Sequence, residues 1–386
     1  MKEIGRQLFA FFSSLQLTIA CLGVGMVLIF IGTIDQVHIG IYAAQAKYFQ
    51  SLIVYWSPPG SSFQIPIMPG GYLIGGVLLI NLFTAHFARF KPTWRKAGIS
   101  LIHLGIVVLL IGELVSGLFQ VDSQMRLDEG ETKGYSEGFR EAELVVIDTS
   151  NPEVDRVVSI PEGRLEDGGI IQHPALPFLV EIQAYYPNAR IFRRGPNTPM
   201  AGPSATIGLG ADLNAVNAPR TGKTDERDLT TAIVDIRGPG GSIGTWMATT
   251  GFDQAQLFTF EGKTFAIEMR PRRYYKPFTL SLLDFTHDRY PGTDIPKNFS
   301  SHVRLLDPEA GEDRDVLIYM NHPLRYAGLT FYQAGFMNDD RTSILQVVRN
   351  PGRLLPYISC VMVSLGLLFQ FGMHLIQFIR RRGARS

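Results

Sequence analysis

Four stretches of this chain, 11–34, 71–90, 98–119 and 355–378, each run for about twenty residues with almost no charge. A helix needs ~20 apolar residues to cross the ~30 Å hydrocarbon core of a bilayer, so the pattern predicts four transmembrane helices. Between the third and the fourth the pattern changes. The runs 143–148, 178–182, 231–236, 263–269, 278–284 and 315–319 are short, rich in β-branched or aromatic residues, and bounded by Gly, Pro or Asp-containing turns. Those are strand signals. The expected fold class is a membrane α-helical protein with four transmembrane helices plus a large extracytoplasmic all-β domain, an antiparallel sandwich or barrel-like fold, between helices 3 and 4. The expected domains are 1–120 (helices 1–3, with an external surface segment at 35–70), 121–350 (the β domain) and 351–386 (helix 4 and a basic tail).

Smaller features fill in the outline. Within 38–56 the residues Tyr42, Ala46, Phe49 and Ile53 recur at roughly helical spacing with little charge, which predicts a helix lying on the membrane surface. Ser57-Pro58-Pro59-Gly60 ends it, and Pro66-Ile67-Met68-Pro69 leads into the second span. The stretch 193–225 is rich in Pro, Gly, Asn and Thr and is expected to be a long loop or insertion. The first apolar segment is too long for a signal-peptide core and lacks a small-x-small cleavage site, so it is expected to be a retained helix.

Charge sets the orientation. Lys2 and Arg6 precede the first span, Arg89, Lys91, Arg95 and Lys96 fill the link between the second and third, and Arg380, Arg381, Arg382 and Arg385 follow the fourth. The segment 35–70 holds a single lysine, Lys47. Basic loops stay inside, so both termini are expected in the cytoplasm and the β domain outside. The net charge of +1 gives no bulk attraction for nucleic acid. The two cysteines, Cys21 and Cys360, fall in predicted helices, which excludes a disulfide scaffold and a CxxC dithiol centre. GxSxG, HExxH and P-loop signatures are absent, and hydrolysis with them.

The candidate chemistry is imidazole. His103 lies inside the third apolar stretch, where a polar ring is costly without a partner. His86 and His374 fall at comparable distances from basic clusters, within ~5–10 Å of the cytoplasmic interface at ~1.5 Å per residue. The pattern suggests a metal, haem or proton site. A bond to a neighbouring backbone carbonyl or a place among the headgroups explains each ring equally simply. Glu113 is the one carboxylate inside a predicted span, either a proton relay or a hydrated group near the interface. His173, His287 and His302 share no metal-ligand spacing and read as surface residues. The run Arg272-Arg273-Tyr274-Tyr275-Lys276 reads as a solvated turn between two strands or as an anion contact.

Two blocks carry a resemblance. The first runs from His103-Leu104-Gly105 through Leu109-Leu110-Ile111-Gly112 to Met125-Arg126-Leu127-Asp128-Glu129-Gly130-Glu131-Thr132. The second holds Tyr290-Pro291-Gly292, Ile295-Pro296-Lys297-Asn298-Phe299-Ser300-Ser301, Asn321-His322-Pro323-Leu324-Arg325-Tyr326 and Phe331-Tyr332-Gln333-Ala334-Gly335-Phe336. With the helix plan, this resembles the ResB (CcsB) family of System II cytochrome c maturation. The resemblance implies a multi-pass protein of the bacterial inner membrane that helps carry haem b outward to a multi-span ResC/CcsA-type partner. Apocytochrome c is then served through the complex, with a thioredoxin-like apocytochrome c reductase as a further partner. It also implies His103 as an axial ligand of the haem iron; His86 and His374 are candidates to assist or oppose it that the family motif does not include. His322 fits a structural turn fixed by Pro323. The chain has three tryptophans, Trp56, Trp94 and Trp246, and not the tryptophan-rich segment of the partner, so it is expected to lack the complete ligase site. The competing readings are a scaffold without haem and a b-type electron carrier. The carrier usually needs two histidines on one helix, and no predicted span has them.

Overall fold

The computed structural model describes residues 2–58, 63–89, 93–195, 202–223, 226–293, 295–337 and 341–383. Lys91, Arg385 and the Pro196–Pro199 part of the expected insertion lie outside the described residues. The chain divides into two compact units: Met1–Val121, Gly222–Thr224 and Arg349–Ser386 form one, Asp122–Thr221 and Asp225–Val348 the other.

The helical unit opens with α1 (Lys2–Phe12) and α2 (Leu15–Ile39), so the expected first span is broken at Ser13-Ser14. Ser14 caps α2 by accepting a hydrogen bond from the Leu17 amide at 3.2 Å. Carbonyls freed by such a break need partners in an apolar setting. Asn81, buried in α4 (Gly71–Arg89), supplies them, its amide donating to Phe12 O at 2.6 Å and Ser14 O at 3.0 Å. The Thr84 hydroxyl adds a bond to Phe12 O at 2.8 Å.

The surface helix expected over 38–56 is shorter and more varied. α3 (Ile41–Ala44) runs into a π-helical turn, Gln45–Phe49, followed by a hairpin of β1 (Ile53–Trp56) and β2 (Ile65–Pro69). The β-branched and aromatic run Ile53-Val54-Tyr55-Trp56 favours an extended chain over a helix, and β2 tolerates Pro66 and Pro69 because it is an edge strand.

A short 3-10 turn, Trp94–Lys96, leads from the link into α5 (Ala97–Phe119). The β unit follows as β3 (Val121–Asp128), β4 (Thr132–Asp148), β5 (Arg156–Pro161), α6 (Glu162–Glu166), β6 (Gly169–Ile171), β7 (Leu179–Tyr186), β8 (Ala189–Arg193), β9 (Leu213–Asn217), β10 (Thr231–Gly238), β11 (Gly241–Thr249), β12 (Gln256–Phe260), β13 (Lys263–Arg289), β14 (Pro296–Asp307), β15 (Glu312–Tyr319), β16 (Leu324–Tyr326), β17 (Leu329–Met337) and β18 (Thr342–Arg349). The chain then returns to the helical unit as α7 (Leu355–Gly383).

The β unit is all antiparallel in its described pairings and holds two cores. A sheet ordered β11-β10-β7-β6 packs over the first half of β13 and the second half of β4, with Phe178 meeting Phe265 edge-on at 5.0 Å. This is the expected sandwich. Farther along, the large sheet runs β15-β14-β13-β4-β3-β18-β17-β16, and β15 comes back against β16 and β17 through a Tyr319–His322 bridge. That closes a barrel-like second core around Leu280, Val303, Phe331 and Leu345.

Two sequence expectations are corrected here. The runs 263–269 and 278–284 belong to one strand, β13, and Arg272–Lys276 is strand where a turn was expected. Register shifts at Pro271/Arg273 and Tyr275/Leu280 bend β13 from one core to the other without ending it. The insertion is also partly ordered, since β9 pairs with β8.

Among the described residues of the helical unit, three helices are long and apolar enough to cross a membrane: Leu15–Ile39, Trp94–Phe119 and Leu355–Arg382. The apolar part of α4, Gly71–His86, is shorter. α5 packs on α7 through glycines seven residues apart. A Cβ on Gly98 would lie 2.7 Å from Gly366 O, one on Gly105 2.7 Å from a Val363 methyl, and one on Gly112 2.8 Å from Leu355 Cβ. Small residues let helix backbones approach in this way, and the Ser359 hydroxyl donates to Gly105 O at 2.8 Å across the seam.

Candidate functional site

α5 turns its other side toward α2 and α4, and there the helical unit holds a cavity of about 730 Å³. Its wall is mostly apolar, with Leu15, Leu22, Leu82 and Ile106 among its residues. The polar groups on it are His103 and Ser100 in the first part of α5, Lys96 just before that helix, His86 and Asn81 on α4, Thr18 on α2, and the Ser13-Ser14 break. The broken helix therefore helps to shape the cavity.

His103 Nδ1 lies 2.9 Å from the Ile99 carbonyl oxygen, one turn back on α5. A carbonyl only accepts, so Nδ1 carries the hydrogen, and the neutral ring presents its lone pair on Nε2. The bond to a backbone carbonyl, offered above as a competing explanation of this histidine, is thus the same contact that orients metal-ligating imidazoles and fixes their tautomer.

The three histidines of the apolar helices are not equivalent. His86 shares the cavity wall with His103. His374 on α7 is exposed and not part of that wall; its Nε2 lies 2.9 Å from the Gln370 amide nitrogen. An amide nitrogen only donates, so the Nε2 lone pair of His374 is engaged. Lys96 and Asn81 were not singled out from the sequence as site residues. A lone asparagine in an apolar run was the available signal for the second.

Among the described residues no three His, Cys, Asp or Glu side chains converge as metal ligands. A bare ion held by side chains alone usually needs three or four of them. Iron already held by a macrocycle needs one or two imidazoles.

A second cavity, about 580 Å³, lies toward the other end of α5, where the chain runs on into β3. Glu113 and Tyr72 are on its wall with Gln36, Gln45 and Gln50. Leu110 lines both cavities.

In the β unit, the basic run of β13 is satisfied from within. Arg272 Nη1 is 3.0 Å from Glu141, and the Tyr274 hydroxyl donates to the same carboxylate at 2.6 Å. Lys276 donates to Ser136 Oγ at 2.6 Å and to Tyr274 O at 3.0 Å. Burial pushes its ammonium down to about 8. The folded state thus holds this proton less tightly than the unfolded chain, so the cost of charging Lys276 is present in full below pH 8 and disappears as pH rises above it. Denaturant stability of the β unit is expected to rise between pH 8 and 10, and Lys276→Met to flatten that rise. An equal slope in both proteins would refute the assignment.

His322 stacks on Tyr319 with ring centroids 4.3 Å apart, beside Asn321 at φ +64°, which is the structural turn expected. His287 packs on Phe336 at 4.2 Å and is half-buried, not a simple surface residue.

The description ResB-like family fits residues 240–343, which run from β11 into β18 and take in most of the barrel-like core. Protein NrfI of Wolinella succinogenes is 36% identical over 99 residues, covering 26% of this chain and 11% of that protein. The cytochrome c biogenesis protein CcsB of Prochlorococcus marinus is 32% identical over 116 residues, covering 30% of this chain and 25% of that protein. The matched stretches therefore span a tenth to a quarter of these relatives.

Proposed function

From the premise that residues 240–343 form a ResB-like family domain, we propose that this chain works in cytochrome c biogenesis as a membrane subunit that holds haem b as cargo and passes it outward. The receiver is a multi-span ResC/CcsA-type partner, which attaches it to apocytochrome c. The observation that carries this reading is the cavity itself. Its volume of about 730 Å³ falls within the ~300–1,000 Å³ of small-molecule and cofactor sites. An imidazole with its Nε2 lone pair free of the Ile99 bond, a second imidazole and a lysine stand on a mostly apolar wall. A porphyrin is apolar over its faces, binds imidazole at iron, and carries two carboxylates at one edge, so the two imidazoles and the lysine each have a counterpart. His103 would hold the iron, His86 would stand as the second imidazole, and Lys96 would meet a propionate.

In this reading α4 is the fourth span, since 19 residues reach about 28 Å at helical rise. Both termini are cytoplasmic by the basic residues flanking the helices, which puts the β unit outside the inner membrane. A thioredoxin-like reductase keeping the apocytochrome thiols reduced would work at that face.

The test is the visible spectrum of the full chain purified in detergent from haem-replete cells. A Soret band in stoichiometric yield is expected, and loss of c-type cytochromes in cells deprived of the chain. A haem-free chain that restores maturation would support a scaffold instead. Lys96→Met is expected to weaken haem retention by up to about fivefold, the ceiling of an exposed ion pair, read as the rate of haem transfer to apomyoglobin. An unchanged rate would remove Lys96 from the site.

A further inference from the structure

The second cavity carries chemistry that the haem reading leaves unused. Five polar side chains from four elements face it: Gln36 of α2, Gln45 and Gln50 at the π-helical turn, Tyr72 of α4 and Glu113 of α5. Among the described residues none of the five side chains has a hydrogen bond or ion pair within the chain. Apolar side chains such as Leu79, Leu110 and Leu114 complete the wall. Gln45, Gln50 and Glu113 are exposed and Gln36 and Tyr72 half-buried, so all five are open to a ligand that enters between them and the apolar wall.

The composition of the set narrows the ligand. Glu113 is its single carboxylate, and no basic side chain lines the cavity among the described residues. A phosphate or carboxylate headgroup would meet repulsion without a compensating cation. The amides and the tyrosine offer both donors and acceptors, and the carboxylate is a strong acceptor for a hydroxyl. The floor is flat and open, because Gly75 and Gly76 line it and a Cβ on either would meet nothing within 4 Å. Glu113 lies six residues before the end of α5, about 9 Å by helical rise, a depth suited to a ring whose tail extends along the leucines.

We infer that this cavity binds a neutral hydroxylated ring with a hydrocarbon tail, of the quinol class, whose hydroxyl donates to Glu113. The inference is independent of the haem site, although the two cavities meet at Leu110.

The experiment uses the full chain in detergent without haem, titrated with a decyl-tailed benzoquinol, with the unfolding midpoint as readout and decanol as the tail-only control. Saturable stabilisation by the quinol and little by decanol is expected. Glu113→Gln keeps the shape and removes the charged acceptor, and is expected to weaken binding about tenfold or more. Gly76→Leu sets a side chain into the cavity from a position where a Cβ meets nothing within 4 Å, and is expected to abolish binding. Decanol binding as tightly as the quinol, or both variants titrating like the parent chain, would overturn the inference. Haem loading of the same variants is measured separately. Normal loading with no quinol response sinks this site and leaves the haem reading standing.

Discussion

His103→Ala is expected to strip haem from the purified chain, leaving less than about a tenth of the Soret absorbance. The argument is geometric. His103 places an imidazole on the cavity wall with its tautomer set by the Ile99 carbonyl. Alanine removes the ring and would leave a porphyrin only the apolar wall, the second imidazole of His86 and the Lys96 contact. Losing an iron ligand removes a coordination bond, a larger loss than the fewfold effect of Lys96. The substitution leaves the glycine seam of α5 and α7 in place, because that seam is formed by Gly98, Gly105 and Gly112. Helix content by circular dichroism therefore serves as the control. Full haem occupancy in a folded His103→Ala chain would end the proposed role of this residue, and His86→Ala would then identify the ligand.

The second large effect lies in the β unit. Arg270→Met is expected to destabilise that unit by about 3–5 kcal/mol, the usual cost of leaving one member of a buried ion pair uncompensated. Arg270 Nε lies 2.9 Å from Glu143 Oε1, with the two side chains 8% and 6% exposed. Glu143 also accepts from the Ser159 hydroxyl at 2.5 Å, so it stays fixed in place when its cation is gone. The double change Glu143→Leu with Arg270→Met removes both charges and should recover most of the loss, since hydrophobic replacement of a complete pair is often close to neutral. Chemical denaturation of the four proteins of this cycle decides it. A single substitution costing under about 1 kcal/mol would show that the pair is hydrated in solution.

The parts of the fold that depend on local pattern could be read from the chain; those that depend on partners distant in sequence could not. The apolar stretches became α2, α4, α5 and α7, and the alternating runs became strands, because burial of a helix or a sheet face writes its own period into the sequence. The break at Ser13-Ser14 escaped notice because Asn81, nearly seventy residues on, satisfies its carbonyls. The continuity of β13 through Arg272–Lys276 escaped for a similar reason. Those charges read as solvent-facing until Glu141 and Ser136 on β4 are seen beside them. At the candidate site, the three histidines could be picked out by their apolar neighbours. What the sequence could not show is that His86 shares a wall with His103 while His374 is held by Gln370, since both lie at similar distances from basic clusters.

The glycine seam has a consequence for how the protein is made. Its two halves are separated by the whole β unit, about 235 residues of chain between the end of α5 and the start of α7. At synthesis rates of ~5–20 residues per second, α5 waits roughly 10–50 s for its mate. During that interval the helix presents three bare glycines, with Gly105 O still lacking the Ser359 hydroxyl, to lipid or to any neighbouring helix. Closure of the seam therefore waits for α7, and a helix that occupies the groove in the meantime must leave before α7 can enter.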